Sequence, residues 1–403
     1  MVLYFNETAF VEALLVALDD RYCSFYKQKY QTVDMAASPA VQLASLPFLT
    51  REELVATPLF ERVYVAPTDV RFIAYTSGTT SGTPLLCPFG TVTDYQFSPS
   101  LGTGAVRPLI VYPPLNKVFG ASFIQQCAQA SQPVTPVFGD VAQLANSAVL
   151  AAQTACDSLY ATPTLARQLA PYIQEHYTVA AIKLVAVASE LLTDPVYEQL
   201  RVLYPAATIV NLYASSEIGQ FIMHSQPGES PHILHLIPET VAAAEIIAGE
   251  LVVTYTKNPA FPLLRYRTGD YFRVVDEVAG AVTLDGRAGV DVIKVGGYEI
   301  RSGDIDTFFS HVPQAVTAYQ VHSRPGRQPE TSFLQVECVG TSGSLSSDAL
   351  RLLRETFLQQ FRLADGVSVA TAVERGIVDD VEFVSVPAVS AGGAKRKVLV
   401  QHQ

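Results

Sequence analysis

The sequence lacks several features that would assign it to common protein classes. It has few basic side chains, 27 Lys and Arg against 38 Asp and Glu, which gives a formal net charge of −11 at pH 7. Nucleic acids and anionic membranes attract proteins through clustered positive charge, so we expect neither as a partner. The five cysteines are scattered over 403 residues and form no closely spaced pair. Such a set predicts free thiols in a reducing cytoplasm rather than a disulfide framework.

Segments that direct a chain to a membrane are also missing. The N-terminal stretch MVLYFNETAFVEALLVALDD carries acidic groups and no basic region, so it does not resemble a signal peptide. No apolar run reaches the roughly 18 residues that a membrane-spanning helix needs. Hydrophobic residues make up 49% of the chain and charged residues 16%, which favours large buried cores. We therefore expect a cytoplasmic protein with two domains.

The hydrophobic pattern changes along the chain. Residues 1–30 are predicted to be helical, and the spacing of Thr50 and Glu53 predicts a capping box at a helix start. Between about residues 70 and 215, apolar strand candidates alternate with helix candidates, which is typical of an α/β architecture with a largely parallel sheet. Residues 233–285 contain shorter strands separated by turns, which indicates antiparallel β-structure.

The predicted fold class is therefore α/β. We expect a large N-terminal domain, residues 1–286, with mostly parallel sheets and a β-rich subdomain. Residues 287–403 are expected to form a small mobile α+β domain, because two strand candidates there are followed by the helix candidate SSDALRLLRETFLQQFRL.

Four short motifs contain the candidate binding residues. The Ser/Thr/Gly run Tyr75–Pro84 supplies hydroxyls and accessible backbone N–H groups, which a polyphosphate needs. In Leu212–Gly219 a carboxylate beside hydroxyls can hold Mg²⁺ with its water shell. Asp270, after a Thr-Gly turn, can accept two hydrogen bonds from a ribose. Gly286–Ile300 places an Arg, an Asp and a Lys among glycines, which suggests a charged hinge.

Each motif alone also has an ordinary structural interpretation. These are a flexible Ser/Gly loop, a helix start capped by Ser, a turn Asp that accepts from local backbone N–H groups, and a Gly-rich interdomain turn. Together and in this order, however, the motifs resemble those of the adenylate-forming superfamily, which includes acyl-CoA synthetases, adenylation domains and firefly-type luciferases. The resemblance extends from about residue 45 to the C-terminus. SLPFLTREEL and GELVVTYTKNPAFPLLRYRTGD look most like the phenylacetate–CoA ligase branch, whereas GRAGVDVIKVGGYEI is closer to acyl-CoA synthetases.

The resemblance implies a two-step enzyme. A carboxylic acid attacks the α-phosphorus of ATP, pyrophosphate leaves, and an acyl-adenylate forms. A thiol, of CoA or of a carrier-protein pantetheine, then displaces AMP. The C-terminal domain is expected to rotate between the two half-reactions.

The resemblance also implies a role for each matching residue. Glu217 would ligate Mg²⁺, Ser216 would contact the α-phosphate, Arg287 would contact ribose or phosphate, Tyr213 would stack near adenine, and Asp270 would bind the ribose. The residues expected to bind the nucleotide are Thr76, Ser77, Gly78, Thr79, Thr80, Gly82, Ser189, Glu190, Tyr213, Ala214, Ser215, Asp270 and Lys294.

Two departures from the family pattern concern its lysines. The phosphate loop usually ends in a Lys after its Pro, but here Leu85 follows Pro84. Near the C-terminus the family has a Gly-Lys whose Lys bridges the substrate carboxylate and the α-phosphate. In residues 390–397 the lysines come late, so we assign this role to Lys395, with Lys397 as the alternative. A solvated basic tail is the ordinary interpretation.

The stretch Pro113–Phe123 matches the region where the family builds its acyl pocket. The lining candidates are Asn116, Phe119, Gly120 and Phe123, together with Ala188; the aromatic side chains would equally suit a hydrophobic core. Amino-acid-activating relatives carry an Asp in this region, and none occurs between Tyr112 and Phe138. The sequence therefore favours an aryl or small apolar carboxylic acid as substrate.

Further alternatives remain open at this stage. His224, His232 and His235 lie close in sequence, but without a nearby Cys they form an incomplete zinc set, so a polar loop is favoured. The acyl group could go to a carrier protein or an amine instead of CoA, or the chain could be a nucleotide-binding pseudo-enzyme. A homodimer is expected only by analogy with the nearest branch.

Overall fold

The computed structural model places most of the chain, in two units. The described residues are 1–19, 21, 24–76, 84–90, 101, 103–112, 123–124, 127, 134–215, 217–219, 221–287, 292–295, 298–312, 316–327, 331–341, 343–363, 367–389 and 398–401. One unit comprises Met1–Ser189 and Leu200–Leu284, and the other comprises Glu190–Gln199 and Asp285–Gln403. The predicted functional domains, residues 1–286 and 287–403, stay a prediction.

The helices and strands follow the alternation that the sequence predicts. The helices are α1 Glu7–Leu18, α2 Phe25–Tyr30, α3 Pro39–Ser45, α4 Arg51–Ala56, α5 Leu144–Thr154, α6 Pro163–His176, α7 Asp194–Leu203, α8 Ser302–His311, α9 Ser347–Gln360 and α10 Val369–Glu374. Single 3₁₀ turns occur at Leu59–Glu61, Pro67–Asp69, Val179–Ala181 and Pro238–Thr240. The strands are β1 Val2–Phe5, β2 Phe72–Tyr75, β3 Leu86–Phe89, β4 Pro108–Val111, β5 Val137–Phe138, β6 Ser158–Ala161, β7 Leu184–Val187, β8 Thr208–Ala214, β9 Phe221–His224, β10 Ile233–Leu236, β11 Ala243–Ile247, β12 Glu250–Tyr255, β13 Leu263–Asp276, β14 Ala281–Arg287, β15 Val292–Val295, β16 Tyr298–Arg301, β17 Val316–Pro325, β18 Ser332–Gly340, β19 Val378–Ser385 and β20 Leu399–Gln401.

One 12-stranded sheet organises the first unit, in the order β1-β11-β12-β13-β14-β10-β9-β8-β7-β6-β4-β5. Strands β5, β4, β6, β7 and β8 pair in parallel, and β8 then pairs antiparallel with β9. Every residue of β4, β6 and β7 is buried, as expected for parallel strands covered on both faces. The predicted α/β class, with a parallel part and a β-rich part, is confirmed; the two parts are continuous in one sheet.

The N-terminal region departs from its all-helical prediction. Val2–Phe5 forms the edge strand β1, which pairs antiparallel with β11. The side chain of Asn6 then accepts a hydrogen bond from the backbone N–H of Ala9 at 3.0 Å and begins α1. Periodicity missed this strand because four residues are too few to show a period, and the strand is stabilised by pairing with β11, which is distant in sequence.

The capping box at Thr50 is confirmed. The N–H of Glu53 donates to Thr50 Oγ1 at 3.3 Å, and the N–H of Thr50 donates to Glu53 Oε2 at 2.9 Å. The same Glu53 carboxylate pairs with Lys29 Nζ at 2.5 Å. These contacts fix the start of α4 against α2.

Replacing Thr50 with Ala is expected to lower the free energy of unfolding by about 1 kcal/mol, because the N–H of Glu53 loses its acceptor. Urea unfolding followed by circular dichroism measures this change. Thr178→Ala is the matched control, since Thr178 precedes a 3₁₀ turn without a side-chain cap. An equal loss in both variants would contradict a capping role for Thr50.

The second unit contains a small sheet in the order β19-β18-β17-β20 and the hairpin β15-β16. Its core includes stacked and edge-on aromatic rings from α8, α9 and β19. The predicted α+β character of this region, including its long late helix, is confirmed. Across the described part of the chain, no helix combines the length and apolar character needed to cross a bilayer.

Candidate functional site

Described residues of three predicted motifs lie in the first unit, two of them at strand ends and one within a strand. Thr76 directly follows β2, Ser215 directly follows β8, and Asp270 lies within β13. Strand β8 is the last parallel strand, so the sheet changes pairing direction beside Glu217. In open α/β sheets, ligands commonly bind outside the carboxyl ends of the parallel strands.

A buried carboxylate is the centre of the first cluster. Glu217 is 6% exposed, and its Oε1 accepts a hydrogen bond from Arg51 Nη1 at 3.0 Å. Ser215 Oγ donates to the other oxygen, Oε2, at 3.1 Å. Arg51 Nη2 donates to Thr76 Oγ1 at 2.9 Å, and that oxygen also accepts from the N–H of Leu85 at 3.0 Å. Arg51 therefore connects the metal-ligand candidate Glu217 with the first residue of the phosphate-loop motif.

Sequence reasoning missed Arg51. The residue is the first of α4, where the positive end of the helix dipole disfavours a cation. That unfavourable position is the signal that could have identified it, because a cation placed there needs a negative partner elsewhere. The partner, Glu217, is 166 residues away in sequence and is brought close only by the fold.

Backbone pairing with β13 holds the segment before Arg51. The N–H of Leu49 donates to the carbonyl of Arg265 at 3.1 Å, and the N–H of Arg267 donates to the carbonyl of Leu49 at 2.9 Å. The Arg265 guanidinium lies 4.4 Å from the centre of the Phe48 ring, a cation–π contact. The strand that carries Asp270 thus also positions Arg51.

The second cluster surrounds Asp270, which is 5% exposed. The hydroxyl of Tyr213 donates to Asp270 Oδ2 at 2.7 Å. The preceding Gly269 has φ +74°, a conformation that favours glycine, and its N–H donates to Glu250 Oε1 at 2.9 Å. The N–H of Asp270 donates to Thr268 Oγ1 at 3.1 Å. Two residues predicted from separate motifs, Tyr213 and Asp270, are therefore in direct contact.

The motif after β7 forms a tight turn. Ala188 is 2% exposed, and Ser189 is exposed with φ +70°, which is unusual for a residue with a Cβ. Such backbone conformations are retained where the surrounding structure requires them, and they cluster at binding sites. Glu190 follows in sequence and is grouped with the second unit.

Several predicted site residues cannot be placed. Ser77, Gly78, Thr79, Thr80, Gly82, Asn116, Phe119, Gly120, Ser216, Lys395 and Lys397 lie outside the described residues. Arg287 is the last residue of β14 and Lys294 lies on β15, but their side chains are likewise outside the description. The roles proposed for these residues stay predictions.

The described pocket candidate, Phe123, lies in a hydrophobic core. Its ring is fully buried and packs edge-on against Tyr160 of β6, with centroids 4.8 Å apart. Ala188 belongs to the same cluster. These contacts are those expected if the aromatic residues of this stretch belong to a hydrophobic core rather than to an acyl pocket.

The three histidines lie around the strand pair β9 and β10. His224 and His235 occupy opposite positions in the pair, and His235 Nε2 lies 2.7 Å from Glu229 Oε2. His224 Nδ1 lies 3.0 Å from the carbonyl of Ser225. Within the described residues, no group of three or more His, Cys, Asp and Glu side chains is arranged to hold a metal ion.

Cysteines 87, 127, 156 and 338 are free and buried, and Cys87 lies next to the first cluster. Burial, and then the negative charge of Glu217, raise the pKa of the Cys87 thiol well above its usual range. Burial also raises the pKa of Cys127 to about 12. Both thiols therefore stay protonated and inert near neutral pH.

Comparison with known proteins gives structural but not sequence matches. No protein-family model and no curated protein matches the chain. A crystal structure of 2-hydroxyisobutyryl-CoA ligase in the postadenylation state, in complex with R3-HIB-AMP, matches with a TM-score of 0.70 and 14% identity, covering 98% of this chain and 90% of that one.

Two further structures extend the likeness. The anthranilate CoA ligase AuaEII in complex with anthranoyl-AMP has a TM-score of 0.54 at 16% identity, covering 82% of this chain and 66% of that one. The amide bond synthetase McbA from Marinactinospora thermotolerans has a TM-score of 0.56 at 19% identity, covering 89% of this chain and 75% of that one. The chain has the fold of the adenylate-forming enzymes, as its motifs predict. A closer kinship with phenylacetate–CoA ligases stays a prediction.

Proposed function

We propose that this protein is an ATP-dependent acid–thiol ligase that forms an acyl-adenylate and transfers the acyl group to CoA. One observation carries the proposal. Four residues that the motifs assign to phosphate, Mg²⁺, adenine and ribose lie in two hydrogen-bonded clusters within a fold of this type. In the first, Arg51 bridges Thr76 and Glu217; in the second, Tyr213 contacts Asp270.

The Asp270 cluster suits a ribose. A carboxylate offers about four lone-pair positions, and Tyr213 uses one of them at 2.7 Å. The two ribose hydroxyls would need two such acceptor positions. The Tyr213 bond orients the carboxylate before the nucleotide arrives, so less ordering is needed on binding. The Glu250 contact to Gly269 keeps the turn that presents Asp270.

A magnesium ion fits the first cluster as an ion held by one protein carboxylate, that of Glu217. Glu217 is a single buried carboxylate, and each of its oxygens already accepts one hydrogen bond from Arg51 or Ser215. Mg²⁺ is often held by one or two protein carboxylates together with substrate phosphates and water. Glu217 would therefore hold a phosphate-bound ion, which when present neutralises charge on the phosphate oxygens.

The proposed reaction has two half-reactions, and each forms one bond and breaks another. In the first step a carboxylate oxygen forms a bond to the α-phosphorus, the bond from that phosphorus to the bridging oxygen breaks, and pyrophosphate leaves. In the second step a thiol attacks the acyl carbon, loses its proton, and AMP leaves. The first step needs positioning and cations more than covalent help. We assign the bridging cation of that step to Lys395, with Lys397 as the alternative, and the remaining sequence-assigned contacts to Ser216, Arg287 and Lys294.

An aryl or small apolar acid is the proposed substrate class, on the absence of an Asp between Tyr112 and Phe138. CoA is the proposed acceptor. A carrier protein would need a local basic docking surface, for which Arg351, Arg354 and Arg362, on and just after helix α9, are the candidates. Arg351 pairs with Asp348 at 3.2 Å and Arg354 pairs with Asp380 at 2.7 Å. Delivery to a carrier-protein pantetheine or an amine is the second candidate, and the likeness to an amide bond synthetase keeps it open. We expect cytoplasmic function, and a homodimer by analogy alone.

Carboxylate-dependent release of pyrophosphate tests the proposal. The purified protein is incubated with ATP, Mg²⁺ and a panel of aryl, short-chain and amino acids, with and without CoA. Release that requires an aryl or short acid and increases with CoA is the expected result. Release that ignores CoA would favour the carrier-protein or amine acceptor. AMP binding without release for any acid would contradict the ligase and indicate a nucleotide-binding pseudo-enzyme.

A further inference from the structure

The phosphate-loop motif ends without its usual cation. Position 85, where the resemblance expects a Lys, is occupied by Leu85, which is 1% exposed and belongs to the main hydrophobic cluster of the first unit. Its backbone N–H donates to Thr76 Oγ1 at 3.0 Å. Position 85 therefore supplies no positive charge to this part of the motif.

Arg51 supplies a positive charge at this position. Its Nη2 donates to the same Thr76 oxygen that receives the Leu85 N–H. The guanidinium thus lies where the start of the phosphate-loop motif, at Thr76, meets the residue that follows it, Leu85, although its backbone belongs to a distant N-terminal segment. Resting on the proposed function, we propose that Arg51 binds the β- and γ-phosphates of ATP, and the pyrophosphate that leaves, in place of the missing loop lysine.

The charge arrangement supports this role. The side chains of Arg51 and Glu217 are 18% and 8% exposed, so their ion pair is largely buried. A polyphosphate entering beside Glu217 would meet a like charge unless a cation lay between them. A guanidinium has five N–H donors in one plane, so it can hold a carboxylate, a hydroxyl and a phosphate oxygen together. Arg51 is positioned to screen Glu217 and to bind phosphate at once.

The rigidity of the segment supports the role as well. Leu49 is paired with β13 on both its N–H and its carbonyl, and Thr50 is locked in a capping box with Glu53. These contacts fix the backbone on either side of Arg51 before any ligand binds. A preorganised cation is more effective on phosphate than a flexible surface side chain, because no ordering is needed on binding.

The test compares ATP, AMP and inorganic pyrophosphate as calorimetric ligands at one fixed Mg²⁺ concentration. Arg51→Gln is expected to raise the Kd for ATP and for pyrophosphate at least about tenfold, because a charge-assisted contact to phosphate is lost. The Kd for AMP is expected to stay within about twofold. Arg354→Gln is the control, since Arg354 forms an ion pair with Asp380 at 2.7 Å that takes no part in the proposed nucleotide site. It is expected to leave the ratio of ATP to AMP affinity unchanged.

The outcomes separate the inference from the proposed function. If the wild-type protein binds neither ATP nor AMP, both fail together. If it binds both, and Arg51→Gln weakens them by the same factor or not at all, only the inference is overturned. If the Arg51→Gln protein does not fold, Arg51→Lys replaces it as the test variant, because lysine keeps a positive charge beside Glu217. An ammonium cannot hold three partners in one plane, so ATP affinity should fall at least about threefold with AMP unchanged; an equal change in both, or none, overturns the inference.

Discussion

Replacing Asp270 with Ala is expected to lower the affinity for AMP at least about a hundredfold. Each ribose hydroxyl that donates to an ionised carboxylate contributes about 1.5–3 kcal/mol, and the substitution removes two such bonds. Pyrophosphate release should fall at least as much, because ATP presents the same ribose. Titration calorimetry with AMP and the pyrophosphate assay measure the two effects.

The same strand offers the control. Asp276 is an exposed residue at the end of β13 that accepts hydrogen bonds from the N–H groups of Val278 and Ala279 at 2.9 and 3.0 Å. Asp276→Ala should leave AMP affinity unchanged. Asp270→Asn keeps an oxygen for Tyr213 and should give an intermediate loss. Normal AMP binding by a folded Asp270→Ala protein would remove Asp270 from the nucleotide site and with it the main support for the proposed function.

Replacing Phe357 with Ala is expected to destabilise the second unit by about 3–5 kcal/mol, the usual cost of removing a buried ring. Phe357 is fully buried, stacks on Phe361 with centroids 4.6 Å apart, and meets Phe308 and Phe383 edge-on at 5.2 and 5.6 Å. Hydrogen exchange read by mass spectrometry should show faster exchange confined to the second unit.

The functional consequence tests the assignment of roles to the two units. The described nucleotide residues are in the first unit, so AMP affinity should be retained in Phe357→Ala. The predicted lysine, Lys395, is in the second unit, so pyrophosphate release should be lost. Leu352→Ala on the same helix α9 is the control, because Leu352 is 49% exposed and its removal should change stability by less than about 0.5 kcal/mol. Loss of AMP binding together with pyrophosphate release would contradict this division of roles.

Local pattern predicted much of the fold. The alternation of strands and helices between about residues 70 and 215 and the capped start of α4 lie where the sequence predicts them, because period and capping act between neighbouring residues. The edge strand β1 and the exposure of Leu15, which is 55% exposed on the apolar helix α1, did not follow from the sequence. Both depend on partners far along the chain, which a local pattern does not contain.

The candidate site likewise has features that the sequence predicts and features that only the tertiary structure reveals. The sequence by itself determined which residues could serve a nucleotide, Thr76, Glu217, Tyr213 and Asp270, because a phosphate loop, a metal carboxylate and a ribose carboxylate each need particular side chains in a short stretch. Only the tertiary structure decided that Tyr213 donates to Asp270 and that Arg51 reaches both Glu217 and Thr76. Charge pairing in a buried site depends on distance in space, and Arg51 is brought there by strand pairing between Leu49 and β13. The position of Arg51 at a helix start indicates that it needs a negative partner, but only the fold identifies that partner as Glu217.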